Sequence, residues 1–99
     1  MSREIIQTDN APAAVGTYSQ AVKVGQTIYV SGQIGLNPAT MELADGFDAQ
    51  AEQVMDNIAA ICIAAGGSLA DVVKFNVSLT DLANFNALNE IFVKRLTAP

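Results

Sequence analysis

Three short stretches of this 99-residue sequence hold the side chains best suited to handling a small polar molecule. Ala11-Pro12-Ala13-Ala14-Val15-Gly16-Thr17-Tyr18-Ser19-Gln20 is a run of small residues that reaches a tyrosine. Val30-Ser31-Gly32-Gln33-Ile34-Gly35-Leu36-Asn37-Pro38 leaves an apolar run through Ser-Gly-Gln, and in Phe85 to Phe92 an amide, Asn89, interrupts an apolar stripe. Their chemistry is hydrogen bonding: a phenol, a hydroxyl, two amides, and a glycine whose missing Cβ lets a ligand approach backbone closely. Stronger machinery is absent. With no His and one Cys, there is no His/Cys zinc set, no Ser-His-Asp triad and no Cys-His pair. The ten acidic residues show no D-x-D-x-D-G spacing, so no metal site is expected.

Each candidate has a structural reading beside the functional one. Tyr18 closes a pocket with ring and hydroxyl, or is an amphipathic aromatic at a sheet margin. Gly32 admits a ligand, or marks a bulge or strand end. Ser31 and Gln33 contact that ligand, or satisfy strand-end backbone. Asn89 meets a ligand or bonds neighbouring backbone. Lys74 assists an anion or is a solvated or interface lysine, and Cys62 reads as a small core residue.

The elements that must position these residues follow from pattern. Ala21 to Ser31 reads as a hairpin turning at Gly25-Gln26, where Gly in the first position suits a type II′ turn. Asn37-Pro38-Ala39-Thr40 is a loop. Asp48 is placed to cap a helix running to about Ala65, with Ala51, Val54, Met55, Ile58, Ile61, Cys62 and Ala65 on its apolar face and a left-handed stop at Gly66-Gly67. Asp71 to Thr80 alternates, with Val73, Phe75, Val77 and Leu79 on one face, and predicts a strand. Asp81 or Asn84 then caps a second helix with the stripe Phe85, Leu88, Ile91, Phe92 and Leu96, whose exit runs through Thr97-Ala98-Pro99. The sequence reads as one domain over residues 1–99 in which the second helix returns to no strand. The expectation is that the natural polypeptide continues past Pro99 with at least two more strands, since a three-stranded remnant covers its apolar face poorly.

Composition limits the partners. An apolar fraction of 51% beside 15% charged residues predicts surface buried against further copies of the chain. A formal charge of −5, with cations scattered at Arg3, Lys23, Lys74, Lys94 and Arg95, argues against nucleic acid. No apolar run approaches the roughly 20 residues of a membrane span, and neither a signal-type leader nor a cysteine pair is present, which predicts a reducing, cytoplasmic setting. The Asn76-Val77-Ser78 sequon reads as chance in that context.

Together, APAAxGxYSQ, SGQIxLxP, the Ala-Ala-Gly-Gly helix exit and the FxxxN helix resemble the RidA/YjgF family of reactive intermediate deaminases, formerly labelled endoribonucleases or translation inhibitors. The resemblance covers essentially the whole chain. Thr17 stands where many members have Pro, and Met41 where many have the Gly of a Thr-Gly-Glu turn. The resemblance implies an α+β fold similar to chorismate mutase, a mixed sheet packed on two helices, assembled as a homotrimer with active sites between subunits. It implies cofactor-free and metal-free hydrolysis of 2-imino acids, such as 2-iminobutanoate and 2-iminopropanoate, to 2-oxo acids and ammonia. On this reading Tyr18, Ser31, Gly32, Gln33 and Asn89 bind substrate. The family's carboxylate-binding arginine and water-orienting glutamate are expected beyond Pro99, which would leave the 99 residues alone inert. A ligand-binding or regulatory member is the alternative, and a ribonuclease or translation inhibitor ranks last.

Overall fold

Gly25 turns the chain where the sequence predicts. In the computed structural model, which describes residues 2–96, Gly25 adopts φ 60° between strands β2 (Ala21–Val24) and β3 (Thr27–Val30). Gln26 is not among the residues with positive φ, so the turn has one left-handed position and fits type II′ rather than I′. A strand the pattern does not reveal, β1 (Glu4–Ile6), pairs antiparallel with β2 and gives the order β1-β2-β3. In this register Ile6 lies opposite Ala21, and Ala21 opposite Val30, while Ile5, Val22 and Tyr29 form the next row. Alternation along each strand puts the two rows on opposite faces. Ile6 and Ala21 are buried against Ile61 and Ala65; Ile5 and Tyr29 are exposed.

Helix α1 (Phe47–Ala64) supplies that cover. Its predicted apolar face holds: Ala51, Met55, Ile61, Cys62 and Ala65 are buried, and Val54 and Ile58 half-buried. The cap differs from expectation. Gly46 occupies the N-cap position at φ 89° with no side-chain cap, and Asp48 lies inside the first turn, where its charge still favours the exposed N–H groups. At the other end Gly66, at φ 94°, donates to the Ile63 carbonyl (3.0 Å) and Gly67 to the Cys62 carbonyl (2.8 Å), the two crossed bonds of a Schellman stop. No basic residue occupies the last turn of α1, but Lys23 reaches over from β2 and donates to the Ala65 carbonyl at 3.2 Å.

Past a short 3₁₀ turn at Leu69–Asp71, closed by a Ser68/Asp71 capping box, residues 72–79 carry no ladder among the described residues. This corrects the strand expected over Asp71–Thr80. The alternation is present, but a strand exists only where another backbone accepts from its N–H groups and donates to its C=O groups, and none does so among the described residues. Phe75 is half-buried, its ring 5.4 Å from that of Phe92, whereas Val73 is 98% exposed. Asp81 caps a second 3₁₀ turn, Leu82–Asn84, accepting from the Ala83 N–H at 2.9 Å. That turn runs straight into α2 (Phe85–Arg95), where Asn84 makes no side-chain cap. Ile91 packs with Ala51 and Met55 as a second core cluster, edged by Leu88, Phe92 and Leu96. The helix exit expected through residues 97–99 lies outside the described residues. The result is α+β, an antiparallel meander and two helices. None of the described helices is long and apolar enough to cross a membrane.

Candidate functional site

Where β3 ends, the chain is stitched to the segment before β2. The Ser31 N–H donates to the Gln20 carbonyl at 3.0 Å, and the Ser31 hydroxyl donates to the Ser19 carbonyl. These two bonds set the Ser31-Gly32-Gln33 corner beside the strap that carries Tyr18. The strap is fixed by a residue the sequence reading passes over. Gln20 is 3% exposed; its Oε1 accepts from the Thr8 N–H (2.7 Å), while its Nε2 donates to the carbonyls of Pro12 (2.8 Å), Thr8 (3.0 Å) and Ala11 (3.2 Å). A buried amide so satisfied holds residues 8–12 as a unit, and removing it would strand several backbone groups.

Tyr18 is half exposed, its hydroxyl accepting from the Val15 N–H at 3.3 Å. It lines a cavity of about 540 Å³ together with Thr8, Asp9, Ala13, Ser19 and Pro38. Gln33 turns its amide back to the Ser31 carbonyl at 3.3 Å. Gly32 has neither a left-handed φ nor any atom within 4 Å of where a Cβ would stand, so the chain's own packing makes no demand for glycine there. Three residues on, the contrast is sharp: a Cβ on buried Gly35 would lie 2.7 Å from the Gln50 Cα and 2.9 Å from the Gln50 carbonyl oxygen.

Asn89 is elsewhere. It is exposed and borders a separate apolar groove of about 220 Å³ between α2 and the extended segment, with Val77, Leu79, Phe85 and Phe92. Ser31 is thus bonded to Ser19 and Gln20, next to Tyr18 in the chain, but Ser31, Gly32 and Gln33 do not line the cavity that Tyr18 lines, and Asn89 lies apart from both. The amide that α1 does bury is Asn57, at 0% exposure, which fits the helical spacing Val54, Asn57, Ile61 of the apolar face. An amide at that spacing was the available signal.

Arg95 bridges to Glu52 at 2.8 Å and Asp56 at 2.7 Å; burial works to lower its pKa, but its bonds to Asp56 and Glu52 outweigh this and raise it, fixing the charge between the helices. Lys23 caps α1, and Lys74 is exposed. Burial pushes the Cys62 thiol up and Asp71 adds to the rise, the opposite of what a reactive thiolate requires. No cluster of three His, Cys, Asp or Glu side chains suited to a metal occurs among the described residues.

Comparison with known proteins gives consistent matches. The endoribonuclease L-PSP family model matches residues 8–99. A RidA crystal structure from an Antarctic Psychrobacter is 72% identical at a TM-score of 0.95, covering 97% of this chain and 78% of its own. The YjgF gene product of Escherichia coli is 42% identical at a TM-score of 0.89, over 97% of this chain and 80% of that one. A rat protein named 2-iminobutanoate/2-iminopropanoate deaminase is 48% identical across 91% of this chain, which spans 66% of the rat protein's length.

Proposed function

Since this chain belongs to the RidA/YjgF family, we propose that it serves hydrolytic deamination of 2-imino acids, with 2-iminobutanoate and 2-iminopropanoate as substrates. Relatives that bear the deaminase name support this reading, and the observation that carries it is open space at Gly32, where the chain's own packing does not require glycine and a ligand has room to reach the backbone.

The reaction asks little covalent work of a protein. A protonated imine carbon is already electrophilic, so what remains is to hold the iminium and aim a water at it. Water adds to that carbon to give a carbinolamine; its nitrogen takes a proton, the C–N bond breaks with its electrons going to nitrogen, and ammonia and a 2-oxo acid result. In this proposal the Gly32 carbonyl accepts from the iminium N–H, and Tyr18 closes the pocket with its ring and hydroxyl. Ser31 serves by shaping, its hydroxyl being committed to the Ser19 carbonyl; Gln33 does the same from the other side.

The remaining contributions belong to the same proposal. The substrate carboxylate calls for a guanidinium, and Arg95 is already engaged between the helices. A homotrimer is proposed to bring Asn89 of one subunit toward Tyr18 and Gly32 of another, using the exposed Ile5 and Tyr29 row as contact surface. No cofactor enters the mechanism, and the proposed compartment is the cytoplasm. The family description says endoribonuclease, but an overall charge of −5, with no His for acid–base chemistry on a phosphodiester, opposes that activity here.

The test is direct. 2-Iminobutanoate generated freshly from an amino-acid oxidase is mixed with the complete purified polypeptide, and loss of imine is followed beside formation of 2-oxobutanoate. Acceleration over buffer is expected; an unchanged rate would remove the proposal.

A further inference from the structure

We propose that Asn57 is a positioning residue for this pocket: from inside the helix it fixes the far side of the Gly32 corner, and so sets the carbonyl that holds the iminium. The inference rests on the deaminase reading for its catalytic half, and on hydrogen bonding for the rest.

Only two residues, Gly32 and Gln33, separate two anchors. On the near side Ser31 is bound through its N–H to Gln20 and through its hydroxyl to Ser19. On the far side the Asn57 Nδ2 donates both its protons, to the Leu36 carbonyl at 3.0 Å and the Ile34 carbonyl at 3.3 Å. The Asn57 Oδ1 accepts from the Gln53 Nε2 at 2.8 Å, one helical turn earlier; the loop carbonyls can only accept, so the NH2 end of the Asn57 amide faces them. Gly35, between the two bonded carbonyls, lies flush on the Gln50 backbone, so the loop can neither lift off the helix nor slide along it without losing bonds.

Asn57 is an expensive choice for a core position. An amide without partners is costly to bury, and the other buried positions of α1 are Ala51, Met55, Ile61 and Cys62; leucine has the same branched shape without the polar atoms. Satisfying the loop explains the choice: without Asn57 the Leu36 carbonyl would face the helix unbonded, and the Ile34 carbonyl would keep only the 2.8 Å bond from the Leu36 N–H. A corner held at both ends keeps the Gly32 carbonyl where an iminium proton needs it, and displacements near 1 Å at such a group cost about a hundredfold in rate.

The experiment compares Asn57→Leu with wild type in the complete polypeptide, by hydrogen exchange at backbone amides and by steady-state kinetics on fresh 2-iminobutanoate. The expected result is faster exchange at the two bonded amides of this loop, Ser31 and Leu36, by about tenfold while β2 and β3 are unchanged, with kcat down about 10- to 100-fold and KM moving less than about threefold. A folded N57L protein with unaltered corner exchange, or with faster exchange and unaltered kcat, overturns the assignment. If N57L does not fold, Gln53→Met leaves Asn57 in place and frees its Oδ1; the same amides should then exchange about threefold faster with kcat reduced in step, and no change in either overturns it. A wild-type protein that does not hydrolyse the imine overturns the deaminase reading instead, and the exchange data still decide whether Asn57 holds the corner.

Discussion

Two regions of this molecule solve the problem of irregular backbone in opposite ways. From Thr8 to Gln20 and from Ser31 to Leu36 the chain makes its strap and corner out of loop, yet buried amides take up the loose ends: Gln20 binds three carbonyls and an N–H, Asn57 two carbonyls. From residue 72 to 79 the alternation of a strand is written plainly, but no neighbour among the described residues accepts its backbone, and Val73 is bare. The lesson is that pattern alone does not order a segment; partners for its polar groups do. The ordered loop region carries the candidate pocket, while the patterned region borders only an open groove.

The sharpest way to break this comparison is Gly35→Ala. A methyl placed 2.7 Å from the Gln50 Cα meets backbone rather than a flexible side chain, and a loss of about 3 kcal/mol is expected, read as a fall in melting temperature of roughly 12–24 °C. Gly32→Ala, a few residues away with nothing to strike, should leave melting within about 0.5 kcal/mol of wild type while lowering hydrolysis. Equal effects at the two glycines would show that the corner is not the open, ligand-facing feature described above.

Gln20→Leu comes next. It strands the Thr8 N–H and the Pro12 carbonyl inside the fold, and should cost about 2–3 kcal/mol in chemical denaturation. A milder loss would mean the strap finds other partners. Met41→Gly runs the other way: Met41 holds φ 59° in the turn closed by its own N–H to the Asn37 carbonyl, and glycine there should raise stability by about 0.5–1 kcal/mol by removing left-handed strain. The smallest effect is reserved for the other region. Val73→Thr, at a residue 98% exposed, should change stability by less than about 0.5 kcal/mol. A larger loss would reveal that something covers the extended segment in solution.

What could be read in advance follows the same division. Local rules written in adjacent residues were legible: Gly25 in its turn, the α1 stripe, and the Gly66-Gly67 stop. The fold class and the Tyr18 and Ser31–Gln33 segments came from motif resemblance, and the structure places those segments side by side. Strand β1 was not legible, because Glu4-Ile5-Ile6 has no alternation and exists as a strand only through pairing with β2. The cap of α1 moved from Asp48 to Gly46 because loop geometry, not propensity, set the first turn. Gln20 and Asn57 escaped notice for a related reason. Spacing puts Asn57 on the buried face of α1, but an amide's role depends on which carbonyls the fold brings to it, and no spacing rule states that.

The contact of Arg95 with Glu52 and Asp56 reaches into how the molecule assembles itself. The two acids lie one turn apart on α1, so before α2 docks they face each other as like charges and weaken that helix by a few tenths of a kcal/mol. Docking of α2 turns this local frustration into attraction. The last described helix therefore rewards the first for having formed, and α1 should gain helicity on α2 arrival beyond what packing of Ile91 on Met55 would give, a gain that added salt erodes.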